Sequence, residues 1–133
     1  MAFNDSTEVR KYLGGVFEVA FADPEIGPKL RETGIVLKTV YSEPSAVVIV
    51  DCVTGTVGEG TADSTSTAEM AMSADTGNAY WQGKVNLPLA MAKSRIKVTG
   101  NVASLLKLAP LGKKLYPRYV QMLTDDGRAD LVV

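Results

Sequence analysis

Apolar residues near the N-terminus recur with the period of an α-helix. Asp5 and Glu8 have the spacing of a capping box, which marks the start of a helix. After them, apolar residues follow at intervals of three and one: Val9, Tyr12, Leu13, Val16, Phe17, Ala20 and Phe21. This pattern predicts one helix from Asp5 to Phe21. A second, shorter helix is predicted from Asp23-Pro24 to Gly34, because aspartate caps helices, proline suits their first turn and glycine ends them.

From residue 35 onward the apolar period changes to two, which is typical of β-strands. Two strands are predicted over 35–41 and 46–53, joined by a turn that contains Pro44. Three more are predicted over 56–60, 67–72 and 93–99, with a loop between the third and the fourth. Helices and strands therefore share one α+β domain, which we expect to span residues 1–133 because 133 residues suit a single core.

The rest of the chain is predicted to be helical, in four short segments. They cover 73–83, 86–92, 101–108 and the residues from Pro110 onward. Proline disrupts a helix interior, so we expect a new helix to begin at Pro110 and a break or kink at Pro117. The residues from 125 to 133 are expected to form a frayed tail.

The segment 86–92 is apolar around most of its predicted helix. Asn86 is placed to cap it and Pro88 lies in its first turn. Leu87, Leu89 and Met91 cannot all face one narrow stripe, so the helix must be covered on several sides. Other core side chains or a bound lipid chain could supply that cover.

Alternation gives the predicted sheet two different faces. Met70 and Met72 share the apolar face with the inward residues of the other strands, and the helices are expected to cover it. The opposite face, which includes Lys38, is expected to be charged and exposed to solvent, but it also carries four branched aliphatic residues: Val36, Val40, Val47 and Ile49. We expect these four to form one patch that mediates a homodimer. The alternative is that the N-terminal segment or the tail over 125–133 folds back and covers it.

Charge is divided between the two halves of the chain. Residues 1–79 carry five basic and twelve acidic side chains, whereas residues 80–133 carry nine basic and three acidic ones. The segment from Lys84 to Arg118 contains no acidic residue. It could attract an anionic partner, which is a lipid head group, the phosphate of a thioester cofactor or a membrane surface, or it could be a solvated face balanced by the acidic half. A nucleic acid partner is not expected, because the sequence pI is acidic and no stacking aromatics alternate with the basic residues.

Several kinds of site and address are missing from the sequence. No run approaches the roughly 18 to 20 apolar residues that span a bilayer, and no signal peptide is visible. Cys52 is the only cysteine, which favours a cytoplasmic location and excludes an internal disulfide. The absence of histidine and of clustered carboxylates argues against a metal, a cofactor or an enzyme. A carboxylate–lysine proton-transfer enzyme stays open, since burial can shift those pKa values.

The order of elements and the stretch MSADTGNAYWQGKVNLPLAMAKSRIKVTGNVASLLKLAPL, residues 72–111, resemble the sterol carrier protein 2 family. In that family a strand runs into a short helix ending in Gly-Lys, here Gly83-Lys84. An apolar turn, a lysine-rich strand, a Gly-Asn or Gly-Asp pair (here Gly100-Asn101) and a leucine-rich helix follow. The resemblance implies a five-stranded, mostly antiparallel sheet with helices packed on one face and an apolar tunnel between the two layers.

The resemblance also implies a function. Proteins of this family bind sterols, fatty acids, fatty acyl thioesters and phospholipids. Where the predicted inward faces meet the family's tunnel, ten side chains are expected to line it: Phe17, Phe21, Met70, Met72, Trp81, Leu89, Met91, Leu105, Leu108 and Leu115. The main prediction is therefore a lipid-binding domain for intracellular carriage or presentation. A ligand-free scaffold or dimerisation domain of the same fold is the alternative.

Overall fold

The computed structural model describes residues 3–133, so Met1 and Ala2 of the predicted domain lie outside the described part. The described residues form seven α-helices: α1 (Ser6–Val9), α2 (Gly15–Ala22), α3 (Ile26–Glu32), α4 (Ala74–Tyr80), α5 (Leu87–Ala92), α6 (Val102–Lys113) and α7 (Tyr116–Asp125). They also form five strands: β1 (Val36–Ser42), β2 (Ala46–Asp51), β3 (Thr56–Glu59), β4 (Ala68–Ser73) and β5 (Lys97–Gly100).

The strands form one sheet in the order β3-β2-β1-β4-β5. Neighbouring strands are antiparallel except β1 and β4, which run parallel at the centre of the sheet. In this parallel pair Thr39 lies opposite Met70, and Tyr41 lies opposite Met72. The helices bury one face of the sheet. The predicted class, α+β with a five-stranded and mostly antiparallel sheet covered on one face, is confirmed.

The predicted helix from Asp5 to Phe21 is interrupted. It begins as expected, since the Asp5 carboxylate accepts a hydrogen bond from the Glu8 backbone N–H at 2.9 Å. A π-helical turn at Arg10–Gly14 then separates α1 from α2. A Cβ at Gly14 would stand 3.4 Å from a methyl group of Val57, so the glycine brings the helix backbone directly onto the sheet. The interruption therefore falls where the helix contacts β2 and β3.

The fifth strand is shorter than predicted. Residues 93–96 close α5 instead of beginning β5, and the Arg95 N–H donates to the Ala90 carbonyl at 2.9 Å. Ser94 adopts a left-handed backbone conformation with a φ of 58° that turns the chain out of the helix. Of the residues over 93–96 whose alternation predicted a strand, only Ile96 is buried, and it lies at the end of this turn.

The last two helices divide at a different point from the one predicted. Pro110 lies inside α6, and Pro117 lies in the first turn of α7. A proline within a helix removes the bond to the carbonyl four residues earlier, here that of Leu106. Both Pro110 and Leu106 are exposed, so water can satisfy that carbonyl and α6 continues. The break comes at Lys114-Leu115.

The C-terminal tail is folded, so the prediction that residues 125–133 fray is wrong. Leu131 is completely buried. Its carbonyl accepts hydrogen bonds from the side-chain amides of Asn78 at 2.8 Å and Gln82 at 2.9 Å. Arg128 forms ion pairs with Glu8 and Asp130. These contacts hold the tail against α4, so it does not cover the aliphatic patch on the open face of the sheet.

The connection between β3 and β4 covers part of that open face. Lys38 was predicted to lie on a solvent-exposed face, but it is buried beneath this connection. Its ammonium group donates to the carbonyls of Ala62 at 2.6 Å and Ser64 at 3.2 Å, and it lies 3.2 Å from the Glu69 carboxylate. The buried charge is thereby paired and hydrogen-bonded, which is the condition for burying it.

The same connection reaches the predicted aliphatic patch. A Cβ added to Gly60 would stand 2.6 Å from Ile49 and 2.9 Å from Val47, so the backbone passes directly over these two side chains. All four residues of the patch, Val36, Val40, Val47 and Ile49, are half-buried. A segment of the chain other than the tail therefore covers part of the patch, and the homodimer through it stays a prediction.

Candidate functional site

An apolar cavity of about 50 Å³ lies between the helices and the inner face of the sheet. Side chains from the central strands form one wall and those from the helices form the other. The lining residues are Phe17, Leu30, Leu37, Thr39, Tyr41, Met70, Met72, Tyr80, Trp81, Leu87, Leu105, Leu108, Ala109, Leu111, Gly112 and Leu115. This cavity is the candidate functional site.

The sheet wall comes from the parallel pair β1 and β4. Alternate residues of a strand face the same side, so Leu37, Thr39 and Tyr41 of β1 face the helices together. Met70 and Met72 of β4 lie beside them in register. Methionine side chains are flexible and adapt to ligands of irregular shape, so this wall can adjust to a bound molecule.

The helix wall comes mainly from α6. Leu105, Leu108 and Leu111 recur every third residue and therefore share one face of the helix. Gly112 lies on the same side, where an added Cβ would stand 3.5 Å from the Trp81 ring. The glycine thus leaves space between α6 and the indole that any other residue would fill.

Aromatic rings close one end of the cavity. Phe17 and Tyr80 both meet Trp81 edge-on, with ring centroids 5.2 Å and 5.4 Å away. Tyr116 completes the cluster at 6.3 Å from both Tyr80 and Trp81. Edge-to-face pairs of this kind stabilise the position of each ring by about 0.5–1.5 kcal/mol.

Among residues 3–133, the polar groups of the lining are the hydroxyls of Thr39, Tyr41 and Tyr80 and the indole N–H of Trp81. Thr39 donates to the Val48 carbonyl at 3.2 Å. Burial raises the pKa of Tyr41 to about 12, and burial together with neighbouring tyrosines raises the pKa of Tyr80 to about 12. Both phenols are therefore neutral at physiological pH. With no acidic or basic group in its wall, the cavity suits an uncharged, apolar guest.

Seven of the ten side chains predicted for the tunnel line this cavity, and three do not. The seven are Phe17, Met70, Met72, Trp81, Leu105, Leu108 and Leu115. Phe21 is buried beside the Arg31 guanidinium, 5.8 Å from its ring centroid. Met91 is half-buried, and Leu89 is 52% exposed. The short helix α5 directs Leu87 and Ala90 inward, which leaves Leu89 facing solvent.

Nine lining residues were not predicted: Leu30, Leu37, Thr39, Tyr41, Tyr80, Leu87, Ala109, Leu111 and Gly112. The alternation in the first strand already placed Leu37 and Tyr41 on the inward face. Ala109 and Gly112 line the cavity with almost no side chain, and no sequence pattern indicates that role.

Outside the cavity lies an open groove of about 570 Å³ between the segment 83–88 and α6. Its walls include Lys84, Lys113, Val85, Pro88, Leu106 and Tyr116. Tyr80, Leu87 and Ala109 line both the groove and the cavity, so these three side chains separate the two spaces.

Cys52 has no role in either space. It is buried and free, and burial raises the pKa of its thiol, which favours the unreactive protonated form. Within residues 3–133 no group of three or more His, Cys, Asp or Glu side chains could hold a metal ion. None of the helices formed by these residues has the length and apolar character of a membrane-spanning segment.

An α+β domain with a mixed five-stranded sheet and a cavity beneath its helices defines the class of protein. The particular fold is that of sterol carrier protein 2. The sterol carrier protein domain 2 of Helicoverpa armigera superposes with a TM-score of 0.67 at 20% identity, over 83% of this chain and 89% of that one. Sterol carrier protein 2 of Aedes aegypti, in complex with the C16 fatty acid palmitate, gives 0.58 at 22% identity, over 83% and 96% of the two chains.

The same fold also matches part of a larger enzyme. A stereoselective inverting sec-alkylsulfatase from a Pseudomonas species superposes with a TM-score of 0.52 at 17% identity, over 63% of this chain but only 14% of that one. No family model and no curated protein sequence matches the chain. The similarity therefore lies in the fold, as the sequence resemblance to this family predicted.

Proposed function

We propose that this protein binds a lipid in the cavity between sheet and helices, for intracellular carriage or presentation. Sterols, fatty acids and fatty acyl thioesters are the candidate ligands. The observation that carries the proposal is a cavity wall of apolar and hydroxyl side chains with no charged group, at the centre of this fold. The palmitate complex of the Aedes aegypti protein supports it, because a protein of the same fold holds a single-chain lipid.

Binding must widen the cavity. Sites for lipid-sized ligands enclose about 300–1,000 Å³, several times the 50 Å³ between the walls. Tyr80, Leu87 and Ala109 separate the cavity from the open groove, so displacement of these side chains would join the two spaces. The flexible Met70 and Met72 can then repack against the ligand.

A glycine pair in the helices tests the site directly. Gly112→Ala adds a methyl group to the cavity wall at ordinary contact distance from Trp81, and Gly15→Ala adds one at 3.5 Å from the Met122 sulfur, away from the cavity. Each replacement of a helical glycine by alanine stabilises the helix by up to about 1 kcal/mol. We expect both variants to be as stable as the wild type or more stable, but only Gly112→Ala to bind lipid more weakly.

The measurements are native mass spectrometry of the purified chain with added palmitate or sterol, and urea unfolding of the same samples. Equal lipid binding by the two variants would contradict a site at Gly112. Absence of lipid from the wild-type protein, in both added and co-purified form, would contradict lipid binding itself.

The alternative proposal is a ligand-free scaffold or dimerisation domain. The small volume of the cavity, about 50 Å³, favours this alternative, because residues that never separate to admit a ligand form an ordinary packed core. The match between this chain and part of the sec-alkylsulfatase also supports the alternative, because the matched region is only a small part of that enzyme. A chain that binds no lipid but associates with itself would support this alternative.

We propose no catalytic activity for this site. The carboxylate–lysine enzyme left open by the sequence needs titratable groups inside the cavity, and its wall has none but two high-pKa phenols. The buried Lys38 pairs with the half-buried Glu69 on the opposite face of the sheet, where Lys38 also holds the connecting segment through the Ala62 carbonyl.

We also propose that the basic segment from Lys84 to Arg118 brings the protein to anionic membranes. Each lysine or arginine near such a surface contributes about 1 kcal/mol, and salt screens the attraction. Lipid transfer to anionic vesicles should therefore exceed transfer to zwitterionic ones and should fall as salt is added. Equal rates that ignore ionic strength would contradict this role.

Self-association through Val36, Val40, Val47 and Ile49 is a further proposal. It requires the connection that crosses Val47 and Ile49 to leave enough of the patch open. Light scattering of the wild type and of Val40→Lys, which places a charge in the patch, distinguishes the cases. A dimer that the substitution disrupts would support it, and a wild-type monomer would contradict it.

A further inference from the structure

The open groove outside the cavity carries two positive charges and no negative one. Lys84 lies on the segment before α5, and Lys113 lies in the last turn of α6. The chain brings them to opposite walls of one groove although they are far apart in sequence. Among residues 3–133, no aspartate or glutamate lines that groove.

Neither lysine has an ion pair with a carboxylate within residues 3–133, unlike Lys11, Lys38 and Lys114. Lys114, the next residue after Lys113, pairs with Glu25 at 2.7 Å. Lys11 pairs with Asp126, and Lys38 pairs with Glu69. Two unpaired cations on one groove raise its positive potential, and a bound anion would be attracted to that potential.

The inner cavity has the opposite character. A charged head group moved into it would lose its hydration and gain no counter-ion, since its wall contains no cation. An apolar chain gains from the same move. A lipid with an anionic head group is therefore favoured with its chain in the cavity and its head group outside it, and the adjoining groove offers that head group two cations.

We propose that Lys84 and Lys113 form a binding site for the anionic head group, a carboxylate or a phosphate, of the bound lipid. The chain of that lipid enters between Tyr80, Leu87 and Ala109, which line both spaces. This inference rests on the proposed lipid binding. It adds a preference for anionic over neutral lipids of equal chain length and names the residues that produce it.

The test compares three ligands with the same chain: palmitate, hexadecyl phosphate and hexadecanol. Binding is measured at low salt to the wild type, to Lys84→Gln/Lys113→Gln and to Lys93→Gln/Lys97→Gln. The last variant removes the same charge from two exposed lysines that do not line the groove. Exposed charge pairs contribute modestly, so we expect the groove variant to bind the two anionic ligands about tenfold more weakly.

Hexadecanol binding should be the same in all three proteins, and the Lys93→Gln/Lys97→Gln variant should bind every ligand like the wild type. Loss of palmitate but not hexadecyl phosphate binding would assign the site to carboxylates, and the reverse would assign it to phosphates. An equal loss for hexadecanol, or an equal loss in the control variant, would overturn the head-group site while lipid binding stands. Failure of the wild type to bind any of the three would overturn both.

Discussion

The helices over the sheet are built in two different ways. On one side, α2 and α3 are tied to α7 and the residues just before it: Asp23 pairs with Arg118 at 2.8 Å, and Glu25 pairs with Lys114 at 2.7 Å. On the other side, around α5 and α6, the large apolar residues Leu89 and Leu106 are about half exposed. Lys84 and Lys113, which line the groove beside these two helices, form no ion pair within residues 3–133.

Among the helices, α5 and α6 supply most of the cavity wall, although Phe17, Leu30 and Leu115 of the first region also border it. The first region, together with the π-helical turn that precedes α2, also contains a fully enclosed part of the core. Exposed ion pairs contribute at most about 1 kcal/mol each, so they do not by themselves make the first region rigid. What separates the two regions is packing. Leu13, in the π-helical turn, is completely enclosed, whereas Leu108 of α6 borders the cavity. Leucine is thus a fully packed core residue at position 13 and a cavity-lining residue at position 108.

The largest effect is expected from truncating one leucine in each region. Leu→Ala substitutions cost about 2–5 kcal/mol, and the cost rises with the volume of the cavity that they create. We expect Leu13→Ala to lose about 4 kcal/mol of unfolding free energy, because its surroundings are closed. Leu108→Ala should lose about 2 kcal/mol, since it already borders empty space. Urea unfolding measures both, and equal losses would remove the distinction between the two regions.

A second prediction concerns the hydrogen bonds that join α4, α7 and the C-terminal tail. The Asn78 side chain, on α4, donates to the Leu131 carbonyl and accepts from the Tyr119 hydroxyl at 2.8 Å and from Gln82 at 3.0 Å. Asn78→Ala leaves a buried hydroxyl without its acceptor, which costs about 1–3 kcal/mol beyond the lost bonds. We expect a loss of about 3 kcal/mol in urea unfolding and faster proteolysis of the tail. Wild-type stability would show that this network does not hold the tail.

A third prediction follows from the buried phenols of the cavity. The pKa of Tyr41 is raised to about 12, whereas that of an unfolded tyrosine is near 10. The folded protein favours the neutral phenol. The contribution of Tyr41 to the free energy of unfolding is therefore complete below about pH 10 and is lost as the pH rises toward 12. Unfolding free energy should therefore fall by about 1.4 kcal/mol per pH unit for each such tyrosine in that interval. Tyr41→Phe should reduce the slope, and an unchanged slope would contradict the assignment.

The smallest effect is expected for the ion pairs of the first region. Glu25 contacts both Lys29 and Lys114 through its carboxylate, and all three side chains are largely exposed. Glu25→Gln should leave the unfolding free energy nearly unchanged, and any small loss should disappear in high salt. A larger, salt-resistant loss would mean that charge, and not packing alone, distinguishes the two regions.

Much of the sheet wall of the site could be predicted from the sequence. Strict alternation placed Met70 and Met72 on the inward face, and the strand period is set by backbone geometry alone. The helix wall was harder to predict. Leu89 faces solvent because α5 is only six residues long and its rotation depends on what it packs against. Pro110 did not end α6. The carbonyl of Leu106, which receives no hydrogen bond from the proline, belongs to an exposed residue and can be hydrated.

Other features depend on contacts between distant residues and left no local signal. The tail is held by a hydrogen bond between residues 53 positions apart, Asn78 and Leu131. Lys38 is buried because the connection between β3 and β4 crosses it, 24 residues further along the chain. In both cases the local pattern was correct for an isolated element, and the tertiary partner changed the outcome.

The parallel pairing of β1 with β4 determines when during folding the site can exist. The hairpin of β1 and β2 closes between near neighbours, but β1 meets β4 only across a separation of 31 residues, as at Leu37 and Ala68. Long-range closure is slow compared with hairpin formation. The leucines of α6 arrive later still in synthesis. The walls of the proposed lipid site can therefore come together only after α6 has emerged from the ribosome, so the site cannot form while its strands alone have been synthesised.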